Sequence, residues 1–80
     1  MVKIETLKDF MNIGTLTQSY KGFILYNANQ NGSDYIIVVC DTFDYSDYCV
    51  EATEKTLKEK YAKYDYQNMQ KIMGVYKIRP

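Results

Sequence analysis

Two apolar runs of strand-like composition, 21–28 (KGFILYNA) and 34–41 (DYIIVVCD), flank the polar segment NQNGS. Asn31-Gly32 is the preferred pair for a two-residue type I′ turn, because both central positions of that turn need positive φ. The spacing predicts a β-hairpin over about residues 21–42. With Asn31-Gly32 as its turn, Ile24 opposes Val39 and Tyr26 opposes Ile37 on one face. Leu25 opposes Val38 and Phe23 opposes Cys40 on the other. Both faces are then apolar, so the hairpin must be covered on both sides or give one side to another chain. Covering both is hard with 80 residues. A homodimer is one way of completing such a sheet.

Other elements are read from periodicity. Ile4, Leu7, Phe10 and Met11 recur at helical spacing. Thr6 with Asp9 three residues on has the form of a capping box, and Gly14 is a natural stop. This predicts a short N-terminal helix. Residues 53–64 (TEKTLKEKYAKY) are rich in helix formers, with Val50, Leu57, Tyr61 and Tyr64 along one stripe. A longer helix over about 51–64 follows. Residues 46–50 read equally as a third short strand or as a helix start capped by Ser46 or Asp47. Residues 69–78 (MQKIMGVYKI) read as a last strand, in which Gly74 marks a bulge. The order gives a small α+β fold: one domain over residues 1–80, with an antiparallel sheet built on the hairpin and helices on one face.

Composition narrows the chemistry. Apolar residues make up 46%, nine of them Tyr, which is a core too thin for an enclosed cofactor cavity; no cofactor is expected. No apolar run is long enough for a membrane span. The start MVKIETLKDF lacks the basic-then-apolar pattern of a signal peptide, which places the chain in the cytoplasm of a host cell. There it would keep Cys40 and Cys49 as free thiols, buried or half-buried. His is absent, no nucleophile motif is present, and the four Gly are isolated. These features point away from an enzyme. Two Cys without His make no common zinc set. Asp41, Asp44 and Asp47 converge on a cation only if FDYSDY is helical, which its composition opposes, so no metal site is expected.

Charge is the most informative pattern. The net charge is zero, yet residues 34–54 carry Asp34, Asp41, Asp44, Asp47, Glu51 and Glu54 with no Lys or Arg. Residues 55–80 carry Lys55, Lys58, Lys60, Lys63, Lys71, Lys77 and Arg79 against Glu59 and Asp65. The acidic window also holds Phe43, Tyr45 and Tyr48. Carboxylates interleaved with aromatics suit a docking surface: the acids steer a basic partner and the rings supply contact area. The partner-binding residues expected on this basis are Asp41, Phe43, Asp44, Tyr45, Asp47, Tyr48 and Glu51. The plainer account is that Asp44, Ser46 and Asp47 are turn and cap residues and that Glu51 and Glu54 complement a helix dipole.

In length, in its Lys-, Asn- and Tyr-rich style and in its lack of catalytic residues, the chain resembles the small accessory proteins of phages and mobile elements. Anti-CRISPR and anti-restriction inhibitors are a known class among these. The likeness is one of style over the whole chain; it rests on no motif and assigns no residue roles. Together with the charge pattern it implies a non-enzymatic inhibitor that docks on a basic or nucleic-acid-binding groove of another protein. The alternative is a small single-stranded nucleic-acid or phosphate binder that uses the Lys- and Tyr-rich C-terminal half. The sequence pI of about 6.1 weighs against that alternative.

Overall fold

The computed structural model describes residues 2–79. In chain order the elements are β1 (Ile4–Thr6), α1 (Leu7–Met11), α2 (Gln18–Gln30), β2 (Tyr35–Asp41), β3 (Ser46–Ala52), α3 (Leu57–Tyr64) and β4 (Gln70–Lys77). The α+β class expected from sequence is what forms. The sheet is mixed, in the order β1-β4-β2-β3, with β1 parallel to β4 and the other pairs antiparallel.

The hairpin predicted over 21–42 is not there: its first arm is helix α2. Tyr20, Ile24 and Ala28 repeat at a spacing of four and pack on the core, and Thr17 caps the start through its hydroxyl, which accepts from Tyr20 N–H at 3.1 Å. Asn31-Gly32 ends this helix. Ser33 N–H reaches Ala28 C=O (2.9 Å) and Gly32 N–H reaches Asn29 C=O (3.3 Å), with Gly32 at φ +71°. That is the Schellman pattern, and it needs a left-handed residue just where a type I′ turn would also need one. Arg79 completes the cap, donating Nε to Ser33 C=O (2.7 Å) and its guanidinium to Asn29 C=O (3.1 Å).

The hairpin that forms joins β2 to β3. Its partners run from Tyr35↔Ala52 to Asp41↔Ser46, which settles residues 46–52 as strand and confines the later helix to Leu57–Tyr64. Of the Glu–Lys pairs that a helix over 51–64 would align, only Glu59 and Lys63 lie within α3. Lys60 is held elsewhere, its Nζ donating to Glu51 C=O at 2.7 Å.

Both faces of the sheet are covered, which corrects the expectation of helices on one face. Ile36, Val38 and Tyr76 meet Phe10, Leu16 and Ala28 from the α1–α2 side. Tyr35, Ile37, Val39 and Val75 meet Leu57 from the α3 side, with Tyr61 and Tyr64 packed against them. The open sheet face that pointed to a homodimer is therefore absent. No helix among the described residues is long and apolar enough to cross a membrane.

The N-terminal helix begins as predicted. Thr6 and Asp9 form a reciprocal capping box, Thr6 N–H to Asp9 Oδ2 at 3.0 Å and Asp9 N–H to Thr6 Oγ1 at 3.2 Å. Ile4, read as part of that helix, instead opens edge strand β1. At the other end of the chain, β4 has its bulge. Val38 pairs with Gly74 but Val39 with Ile72, so Met73 is the extra residue. Gly74 has a second use: a Cβ there would come within 2.7–2.9 Å of the Tyr76 ring, which packs edge-on to Phe10 at 5.6 Å.

One buried cation ties α1 to α2. Lys21 is 1% exposed, and its Nζ donates to Met11 C=O (2.6 Å) and Ile13 C=O (2.7 Å). These carbonyls lie at and just beyond the end of α1, where helix carbonyls lack intrahelical partners. Replacing both members of a buried polar contact with apolar groups can be neutral, but Lys21→Met removes only the donor. We expect Lys21→Met to cost about 2–4 kcal/mol, a large share of the roughly 4–12 kcal/mol available to a domain of this size. Urea unfolding measures it.

Candidate functional site

One end of the sheet gathers aromatic side chains that the core does not use. The β2–β3 hairpin loop, residues 42–45, lies beside the 65–69 segment that leads into β4. Thr42 joins them, donating both its N–H and its Oγ1 to Met69 C=O at 2.8 Å. Phe43, Tyr45, Tyr66 and Met69 project from these two segments and are 59–79% exposed.

The backbone here is unusual. Tyr45 (φ 60°), Tyr66 (57°), Asn68 (53°) and Met69 (61°) are the positive-φ residues other than Gly32 among the described residues. Asn tolerates this region, whereas for L-residues with larger side chains it costs roughly 1–2 kcal/mol each. Such strain persists where surrounding structure imposes it, and it clusters at functional sites.

The seven residues expected from sequence divide into two groups. Asp41, Phe43, Asp44 and Tyr45 meet at this tip. Asp41 Oδ1 accepts from Phe43 N–H at 2.8 Å, and Asp44 Oδ1 accepts from Ser46 N–H (3.0 Å) and Ser46 Oγ (2.7 Å). Both carboxylates thus shape the loop and remain at its surface as charges. The Ser46 contacts hold Asp44 below the usual carboxylate range.

The remaining three serve the fold. Asp47 opposes Cys40, and after burial it is this carboxylate that pushes the Cys40 thiol up. Tyr48 is half-buried on the α3 face, edge-on to Tyr64 at 6.3 Å, and its hydroxyl accepts from Gln70. Glu51 lies toward the opposite end of β3, with Oε1 accepting from Ser33 Oγ (2.7 Å) and Asn31 Nδ2 (3.0 Å). The acidic window is therefore continuous in sequence but not in space. Lys71, across from Cys40 on β4, offsets part of the charge at the tip end.

Tyr66 and Met69 complete the tip and belong to no acidic or periodic pattern. Their strained conformation leaves no compositional trace either, since Tyr and Met are not residues a positive φ selects.

The rest of the surface offers less chemistry. An open cleft of about 400 Å³ beside β1 is lined by Ile4, Leu7, Lys77 and Ile78 among others, and the hydroxyl of Thr6 at its wall is engaged with Asp9. Among the described residues no group of three or more His, Cys, Asp or Glu is placed to hold a metal ion. Cys40 and Cys49 are free thiols, and burial pushes Cys49 up to about 11. No family model matches the chain, and neither a curated protein nor a solved structure does.

Two outcomes follow for the tip. Asp44, titrated by NMR, should have its midpoint below an ordinary Asp, and Ser46→Ala should move it up. A depressed carboxyl contributes stability that is complete above its unfolded pKa and is lost as pH falls through the folded one. Ser46→Ala should therefore flatten the acid limb of the stability profile below about pH 4. Tyr45→Gly relieves left-handed strain but adds unfolded-state entropy. The net expected is a gain of roughly 0.5–1 kcal/mol in urea unfolding.

Proposed function

We propose that the chain is a non-enzymatic binding protein whose tip, Phe43, Tyr45, Tyr66 and Met69 with Asp41 and Asp44 at their side, docks on a basic groove of another protein. The observation that carries this reading is the exposure of four large side chains on two tethered segments, three of them on left-handed backbone. Aromatic anchors with pre-set backbone lose little entropy on binding. Asp41 and Asp44 give the tip its sign, so the matching surface is positive. A groove that accepts the phosphates of a nucleic acid meets that description, and a protein seated in it would act as an inhibitor of the anti-CRISPR or anti-restriction kind. The C-terminal cations favour the nucleic-acid alternative less than their number suggests. Arg79 and Lys60 are committed to backbone carbonyls, and Lys63 lies 5.5 Å from the centre of the Tyr64 ring.

The test is capture from host lysate on the immobilised chain, with competition. The expected partner is released by heparin, which fills a basic groove, and binds less well as salt rises from 0.1 to 1 M. The double variant Phe43→Ala/Tyr45→Ala should weaken capture at least about 30-fold, as two aromatic anchors lost together would. A partner retained equally by the double variant would overturn the reading. So would a direct gel shift of a single-stranded oligonucleotide that Lys55→Glu/Lys58→Glu abolishes; that result would favour the nucleic-acid alternative.

A further inference from the structure

Helix α2 presents a second face that the fold leaves uncovered, and its chemistry differs from that of the tip. Ser19, Gly22, Phe23, Tyr26 and Gln30 fall on its outer side, opposite buried Lys21 and Ala28. Phe23 is 61% exposed and Tyr26 64%. Lys21 is the helix's one charged residue and it is buried, so the outer side carries no charge at all, in a chain of which 25% is charged. A solvent-facing helix normally carries charge on that side.

Gly22 sits mid-helix between these residues. Glycine there disfavours the helix by up to about 1 kcal/mol relative to Ala. Nothing within the chain requires it: its φ is negative, and a Cβ added at this position meets nothing within 4 Å. An open glycine flanked by exposed rings is what a closely approaching second helix uses, because the missing side chain lets the axes come together.

We propose that this face is the interface of a homodimer, formed by two α2 helices packed antiparallel about a two-fold axis between Phe23 and Tyr26, with Gly22 one turn from the crossing. Phe23 of each chain would lie against Tyr26 of its partner. At the ends, the Ser19 hydroxyl of each chain would meet the Gln30 amide of its partner. Charge selects the occupant. A face without charge gives a foreign partner nothing to set register or sign, whereas a two-fold copy matches it with another uncharged face and no like-charge contact. The antiparallel arrangement also opposes the two helix dipoles.

Sedimentation velocity between about 10 µM and 1 mM tests the proposal; the expected dissociation constant is on the order of 10–500 µM. Phe23→Lys should weaken the dimer at least about 10-fold, since it would bury two like charges in one otherwise uncharged interface. Tyr26→Lys repeats the test should the first variant unfold. Gly22→Ala separates this interface from a merely tolerated glycine. At 10 µM it should raise Tm by about 3–8 °C through helix propensity, yet weaken the dimer by about 10-fold. Phe43→Ala/Tyr45→Ala, at the tip, should dimerise as the unaltered chain does. A chain monomeric at 1 mM overturns the proposal. So does a dimer unchanged or strengthened by Phe23→Lys or by Gly22→Ala, or one lost with the tip variant.

Discussion

Burial of β2 on both faces is the constraint from which the rest of the architecture follows. Tyr35 to Cys40 are each at most 5% exposed. Side chains alternate across a strand, so this run needs an apolar layer on either side and hydrogen-bonded strands at both edges. β4 and β3 supply the edges. α1 and α2 supply one layer and α3 the other. With so few residues each layer is thin, and the connections take on structural work. Lys21 closes the end of α1, Arg79 closes the end of α2, and the Tyr20 hydroxyl takes up the N–H of Cys49 at 3.0 Å on edge strand β3. Long polar side chains thus act here as fasteners between backbone segments.

The same strand explains which parts of the fold were legible in sequence. A continuous apolar run such as YIIVVC marks a strand buried on both sides, and the local rules for capping and turn residues place α1 and β4 without help from the rest of the chain. α2 was illegible because its signals are degenerate. Its apolar residues are contiguous, which suits strand and helix alike over so short a run. Asn-Gly is at home both in a tight hairpin and at a helix C-terminus. What decides between them is tertiary: a hairpin at 21–42 would leave β2 without cover on one face, while a helix there provides it. As strand, residues 21–28 would add sheet that needs covering; as helix, they are part of the cover.

The candidate site was legible in half. Asp41, Phe43, Asp44 and Tyr45 lie together because turn chemistry and surface composition coincide in a hairpin loop. Tyr48 and Glu51 lie elsewhere because β3 alternates its side chains between two faces and carries them toward the far end of the sheet, which divides in space a window that is continuous in sequence. Tyr66 and Met69 were missed because they reach the tip through long-range placement, by way of the Thr42 contact to Met69.

The two uncovered surfaces differ in how they depart from what the fold alone would choose. At the tip, three large residues hold left-handed backbone at roughly 1 kcal/mol or more each, where Gly or Asn would be easier. On α2, a glycine takes a position where Ala would be better by up to about 1 kcal/mol, and two rings stand in water where Lys or Glu would serve. Against a total of roughly 4–12 kcal/mol these are not small concessions. The tip keeps acids beside its rings and so suits a partner of opposite sign. The helix face excludes charge and so suits its own copy. Because the tip belongs to loops at the sheet end and the Gly22 face to the outer side of a helix, the two need not compete. A dimer formed through α2 would present two tips, and a partner with two basic grooves, or one long groove, would then bind it with the gain of a tethered second contact.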